Sequence, residues 1–229
     1  MHYDLTNFHP VASHTIKHIG LIPDGSSRWA KRQGLSTEEG YLVAVNKIAE
    51  FVDLCFSENC ESVSLYLSSI QNFKRPEAAI EAFCESQSYF CDNLLSDIVG
   101  KYKTRVRIAG NLTVLPVGLR NSLEKLRLNT IEHSVTRLYL CAAYNPLEEI
   151  LQAVERTSKD EIFLEHLWVP EPLDILIRSG SANVLSNFLP LQAGYARFYT
   201  IDKLHPDVTI EDYLMIMREF KSLERHFGE

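Results

Sequence analysis

Several things this chain lacks narrow what it can be. It has no apolar run approaching the ~18 residues of a membrane-spanning helix and no charged-then-apolar leader pattern, so a soluble, cytoplasmic protein without stable membrane insertion is expected. It has no long basic block. The 23 Lys and Arg residues stand against 30 Asp and Glu, a formal net charge of −7, and nucleic acid is not an expected partner. Cysteine is sparse: Cys55, Cys60, Cys84, Cys91 and Cys141 are odd in number and contain no C-x-x-C pair, which argues for reduced thiols rather than a disulfide framework. No Pro/Gly/Ser-rich linker divides the 229 residues. A single domain over residues 18–229 is therefore expected, behind a loosely held tail of residues 1–17 whose His2, His9 and His14 are assigned no function.

What is present is led by the stretch from His18 to Trp29. An apolar, strand-like run ends at Pro23, and Asp24, Gly25, Ser26, Ser27 and Arg28 follow at once. A strand, loop and helix start of this kind presents backbone N–H groups, hydroxyls and a guanidinium to one point, which suits a phosphate group. A carboxylate there is electrostatically misplaced unless a divalent cation lies between, or unless it handles a proton, so Asp24 suggests a metal-bridged diphosphate. Asp24-Gly25 as a plain turn and Ser26 as a plain helix cap account for the same letters.

The rest of the chain alternates in period. Ser36 to Glu39 has the form of a capping box, and Leu42, Val45, Ile48, Ala49, Val52 and Phe56 recur at helical spacing. Residues 62–67 alternate as a strand and empty into a polar segment, Ser68 to Pro76, at the end where open α/β sheets hold ligands. Helical spacing resumes from Glu77 to about Val99 through Ile80, Phe83, Ser86 or Gln87, Phe90 and Leu94. Further strands are expected at 105–109, 137–142, 173–177 and 196–201, and further helices at 116–129, 147–156, 160–167 and 210–226. The strand at 173–177 would deliver Arg178-Ser179-Gly180 to its end. Such alternation implies an α/β fold, a mainly parallel sheet of about six strands flanked by helices.

The residues His18 through Lys31, then Leu65-Tyr66 with Ser69, Asn72, Phe73, Arg75 and Pro76, Ile108 to Gly110, Ala142 to Tyr144, Asp174 to Gly180, Ser186 to Leu189, Gln192, Tyr195-Ala196 and Glu224 to Gly228 resemble, in this order, the cis-prenyltransferases of the undecaprenyl diphosphate synthase fold. The resemblance implies a homodimer, an apolar tunnel, Mg2+, an allylic diphosphate at the first loop and isopentenyl diphosphate at the Arg178 to Ser186 region. It implies that Asp24 is the magnesium-linked carboxylate, that Gly25, Ser26, Ser27 and Arg28 cradle the donor diphosphate, and that Asn72 and Arg75 assist its departure. Donors already in place where leaving-group charge builds up lower that barrier.

The departures from the family pattern narrow the reading. An arginine and a histidine that usually follow the first loop fall on Thr37 and Tyr41, an arginine of the second site falls on Val184, and a metal-site glutamate falls on Arg197. With Pro23 and the Leu35 to Tyr41 variant, the chain resembles the short-chain branch that makes lavandulyl-type products. The expected activity is transfer of a dimethylallyl, geranyl or farnesyl group to an unusual small-molecule acceptor, an electron-rich aromatic, in a pocket of Tyr41, Ser69, Phe73, Val184, Phe188 and Arg197, with Tyr195 close by. The alternatives are irregular coupling of two allylic diphosphates, short-chain condensation with isopentenyl diphosphate, and a non-catalytic partner subunit of the same fold.

Overall fold

The computed structural model describes residues 15–74, 77–159 and 161–222. Its centre is a sheet of six parallel strands: β1 (His18–Ile22), β2 (Ser62–Tyr66), β3 (Thr104–Ala109), β4 (Thr136–Cys141), β5 (Ile175–Ser179) and β6 (Arg197–Ile201), in the spatial order β3-β4-β2-β1-β5-β6. Between them run α1 (Ser26–Gln33), α2 (Thr37–Ser57), α3 (Glu77–Tyr89), α4 (Leu95–Lys101), α5 (Val117–Asn129) and α6 (Pro146–Arg156), and α7 (Ile210–Ser222) closes the described chain. Successive residues of a strand point to opposite faces. Leu138 and Leu140 accordingly join the main core, built with α2, α3, α4, α5 and α7, while Tyr139 and Cys141 face a smaller cluster with Tyr144, Val169, Leu173 and Phe188. Irregular chain covers that second face, and α6 is tied to it through the buried Glu149, which accepts hydrogen bonds from the Tyr144 hydroxyl, the Val169 N–H and the Gln192 amide.

The strand order reverses at β1. The chain moves from β1 to β2 on one side and returns to β5 on the other, which opens a crevice at the carboxyl ends of β1 and β5, the usual ligand position in such sheets. Buried polar groups set the register at the opposite, amino ends of these strands. Asp174 Oδ2 accepts the Lys17 and His18 N–H groups at 2.7 and 3.1 Å and so pins the start of β1 to the start of β5.

Several expected boundaries move. Ile16, expected in the tail, is buried in the main core. The helix expected to about Val99 is interrupted by a π-helical turn, Phe90–Leu94, which places Phe90 and Cys91 in the core. Within the helix expected at 160–167, the described residues form only a 3₁₀ turn, Phe163–His166, with Leu164 buried. The strand expected at 173–177 runs instead over Ile175–Ser179, so Arg178 is itself paired with β1 and β6 and Ser179 with β6. Residues 1–14 of the tail, Arg75 and Pro76 of the second loop, and the terminal motif from Glu224 to Gly228 lie outside the described residues.

Two histidines are fully enclosed. Burial lowers His18 from 6.5 to about 3, although its ring meets the Pro172 carbonyl and Ser64 Oγ, and burial lowers His205 from 6.5 to about 4. Between pH 6.5 and about 4 the unfolded chain therefore takes up protons that the folded chain refuses. Each histidine should remove about 1.4 kcal/mol of stability per pH unit over that window, with no contribution above it. Chemical unfolding from pH 7.5 down to 5 checks this: His205→Leu should flatten the dependence, and an unfolding midpoint that ignores pH would contradict it.

Candidate active site

A cavity of about 820 Å³ opens at the carboxyl ends of β1, β2 and β5. Its mouth is polar. Asp24 follows β1, and Gly25 takes a left-handed φ of 110° at a point where an added Cβ would also stand 2.7 Å from Leu204. Helix α1 then begins without a side-chain cap, so its first N–H groups face the crevice as an anion-binding end.

Asp24 is held on every side. Its Oδ1 accepts from Arg28 Nη2 at 3.2 Å and its Oδ2 from Arg178 Nη2 at 2.9 Å. Its backbone N–H donates to Ser179 Oγ, and its carbonyl accepts the His205 N–H. The Arg178 side chain is only 9% exposed against 54% for Arg28, and its Nη1 also donates to Ser186 Oγ at 2.6 Å and to the Val184 carbonyl at 2.7 Å. Ser186 and Asn187 adopt positive φ of 49° and 58°, and the Tyr66 hydroxyl donates to the Ser186 carbonyl at 3.0 Å. One buried guanidinium thus joins the first loop to the loop after β5.

In the second loop Asn72 Oδ1 accepts both the N–H and the hydroxyl of Ser69, which leaves the amide Nδ2 as its remaining donor group. Ser27 Oγ donates to the Tyr41 hydroxyl at 3.2 Å, and the Tyr41 ring meets Phe83 edge-on. Below this mouth the lining turns apolar, with Ile22, Ala44, Val45, Ile48, Leu67 and Phe83, and with Gln87 at its end.

The cavity thus brings together Asp24, Gly25, Ser26, Ser27, Arg28, Tyr41, Ser69, Asn72, Arg178, Val184 and Ser186. Three expected pocket residues stand elsewhere. Phe188 is fully buried with its ring stacked on Tyr66 at 4.5 Å, because the loop after β5 turns it into the second-face core. Phe73 packs against the main core. Arg197 is exposed at the start of β6, paired with Ile175, at the opposite end of the sheet from Arg178; three residues of strand separate the two levels, about 10 Å. Tyr195 is likewise exposed and outside the lining. Arg75 lies outside the described residues. Sequence reasoning assigned no role to Tyr66, Ser179 or Gln87. Gln87 carried a legible signal, a polar residue in the apolar stripe of α3.

Among the described residues no group of three or more His, Cys, Asp and Glu side chains is placed to hold a metal ion. A single carboxylate flanked by guanidiniums fits a hard cation that shares its coordination between Asp24, water and the oxygens of a bound diphosphate, and does not fit a prebuilt protein cage.

A doubly wound parallel sheet with a polar, guanidinium-bearing crevice above an apolar shaft suits a ligand with an anionic head and an apolar tail, as a prenyl-transferring enzyme requires. The comparisons agree: the family model for undecaprenyl diphosphate synthase matches residues 22–228. The chain belongs to that family, the cis-prenyltransferases, and is a prenyl-transferring enzyme. It is 31% identical over 229 residues to the tritrans,polycis-undecaprenyl-diphosphate synthase (geranylgeranyl-diphosphate specific) of Thermoplasma acidophilum, covering 93% of this chain and 88% of that one. The isoprenyl transferase of Campylobacter jejuni is 29% identical over 223 residues, 93% of this chain and 99% of that one. In fold the chain matches lavandulyl diphosphate synthase from Lavandula x intermedia, solved with dimethylallyl diphosphate, with a TM-score of 0.87 at 24% identity over 94% of this chain and 99% of that one.

Gly180, at φ 88°, lets the end of β5 approach the first loop; a Cβ there would stand 2.9 Å from Arg28 Nη2 and 3.0 Å from the Asp24 carbonyl oxygen. Gly180→Ala should lose about 1–3 kcal/mol of stability from the backbone conformation alone. Urea unfolding measures it, and an unchanged midpoint would show that the two loops can part freely.

Proposed function

We propose that this enzyme joins a short allylic diphosphate to a second small prenyl diphosphate and does not build long polyprenyl chains. The observation that carries the reading is the two-part cavity: guanidiniums on either side of Asp24 at the mouth, and an apolar shaft that ends at Ile48 and Gln87. Tyr41 and Ile48 are seven residues apart on α2, so that shaft is about 10 Å deep. The same fold serves lavandulyl diphosphate synthase, a protein solved with a short allylic diphosphate, so the architecture accommodates such a donor.

The donor diphosphate sits on the N–H groups of α1 with Gly25, Ser26, Ser27 and Arg28. The second diphosphate takes Arg178 and Ser186. Asn72 aims its free amide group at the breaking bond, and Arg75 keeps the role that the family resemblance gives it. Asp24 would hold Mg2+, which supplies positive charge against the leaving diphosphate when bound. The case for a cation is electrostatic: Arg28, Arg178 and Asp24 together carry +1, far short of two diphosphates. The donor C–O bond breaks with its electron pair on the departing diphosphate, the acceptor alkene supplies the pair for the new C–C bond, and a proton is lost to the released diphosphate. An aromatic acceptor has less support, because of Val184, Phe188 and Tyr195 only Val184 borders the cavity.

Incubation of the enzyme and Mg2+ with dimethylallyl diphosphate alone should give a product of two isoprene units that keeps one diphosphate. Added isopentenyl diphosphate should not produce a ladder of long chains, and such a ladder, or transfer to an aromatic panel with no coupling, would overturn the reading. Asp24→Asn, which keeps an acceptor for the arginines, should lower turnover by about 10²-fold or more while the protein stays folded. Near-normal turnover would remove Asp24 from the site.

The reading extends to a homodimer. Leu147, Leu151 and Val154 of α6 are 67%, 62% and 57% exposed and, at spacings of four and three, form one apolar stripe opposite the buried Glu149 and Ala153. A second copy of the chain covers it. Leu151→Glu should shift the sedimentation of the protein toward the monomer, and a wild type that sediments as a monomer would refute the dimer.

A further inference from the structure

A second concentration of positive charge lies away from the catalytic cavity. A cleft of about 240 Å³ is bordered by Arg105 and Arg107 of β3, Arg127 at the end of α5, Arg156 at the end of α6 and Trp168 in the chain before β5. It shares no residue with the catalytic cavity, and among the described residues no Asp or Glu borders it. β3 is the edge strand, three strands from β1, so the two sites are about 14 Å apart across the sheet. Arg127 is paired with Glu124 at 2.8 Å, whereas Arg105, Arg107 and Arg156 form no ion pair among the described residues. Charge on an edge strand deters pairing with another chain, which accounts for Arg105 and Arg107 but not for two helices that bring theirs to the same space. Arg156 stands seven residues after the buried Glu149 and three after the buried Ala153, opposite the apolar stripe of α6, so a second copy seated on that stripe leaves it open. The strand edge adds a backbone donor: the Val106 N–H leaves the sheet for Thr130 Oγ1 at 3.0 Å, and by alternation the Ile108 N–H, also at the cleft, points out where no further strand takes it.

We infer that this cleft is a second, non-catalytic anion site that takes a small soluble diphosphate, held by guanidiniums from three separate elements. Like charges gathered round one space repel, and an anion among them relieves that repulsion. Four guanidiniums offset by the Glu124 carboxylate leave +3, which matches the about three negative charges of a diphosphate. Planar, forked donors suit phosphoryl oxygens, and donors spread over β3, α5 and α6 suit two linked phosphoryl groups better than one. Trp168, fixed edge-on against Tyr144, walls one side of the cleft. Prenyl transfer from an allylic diphosphate releases diphosphate, so a ligand of this chemistry is present wherever the enzyme works.

The test is calorimetric titration of the wild type, Arg107→Gln and Arg156→Gln with inorganic diphosphate in the absence of metal, with inorganic phosphate and phosphatidate vesicles as parallel arms. Each substitution should weaken a diphosphate site by about tenfold or more, while prenyl transfer is unchanged because neither residue borders the catalytic cavity. The two side chains belong to different elements, so a folding fault in one variant does not produce the result in both. Failure of the wild type to bind diphosphate would overturn the inference, and so would diphosphate binding that both variants keep, since that binding belongs to the crevice. Inorganic phosphate bound as tightly as diphosphate would mark a general basic surface and refute the site. Capture by phosphatidate vesicles through these arginines, with no binding of free diphosphate, would replace the small ligand by a lipid headgroup and refute it as well.

Discussion

The bond between Arg178 and Asp24 is the interaction on which the rest of the site depends. Arg178 is a strand residue with its guanidinium nearly enclosed, and a buried charge of this kind persists only with a partner and hydrogen bonds around it. Asp24 supplies the partner from the end of β1, and Ser186 and the Val184 carbonyl supply the bonds from the loop after β5. Two connections that are far apart in sequence are thereby held at one point. The parallel sheet makes this possible, since the neighbouring strands β1 and β5 bring their carboxyl ends to the same edge.

Behind that point lies a second tier of polar groups that face no cavity. Asp174 fastens the beginnings of β1 and β5, His18 bridges to Ser64 on β2, and Glu149 ties α6 to Tyr144 just past β4. Burial raises the Glu149 carboxyl above its ordinary value, which hydrogen bonds from Tyr144, Val169, Gln192 and Trp168 oppose. Tyr66 connects the tiers: its ring stacks on Phe188 in the second-face core while its hydroxyl holds the Ser186 carbonyl. The loop after β5 is thus held to the core by Tyr66, by its own buried Phe188 and Leu189, and by the Arg178 guanidinium.

Much of this was legible in the sequence. Apolar runs and, at 62–67, apolar alternation locate all six strands, and the Asp-Gly-Ser-Ser-Arg run after the first of them announces the crevice, because local turn and cap chemistry sits in adjacent residues. The capping box at Ser36 and Glu39 is present as read. What escaped was decided by distant partners. Nothing near Phe188 in the chain reveals that Tyr66, well over a hundred residues away, will take its ring into the core. Arg197 was assigned to the site by its place in a family pattern, whereas the register of β6 against β5 sets it at the other end of the sheet. The strand expected to stop at Ile177 and deliver Arg178 and Ser179 to its end includes both, since a strand that ends in a crevice can carry polar residues on its last two positions.

The double grip on Asp24 has a further consequence. With both carboxylate oxygens engaged by guanidiniums, the mouth keeps one net positive charge, and an incoming anion must compete with Asp24 for Arg28 and Arg178. Each guanidinium that turns toward a phosphate frees one carboxylate oxygen, so anion uptake and the availability of a cation ligand rise together. On the proposed reading, substrate and counter-cation would be thermodynamically linked: each would increase the affinity for the other by the same factor, and a lone phosphate without a divalent partner would meet a crevice whose two guanidiniums are already half offset by Asp24.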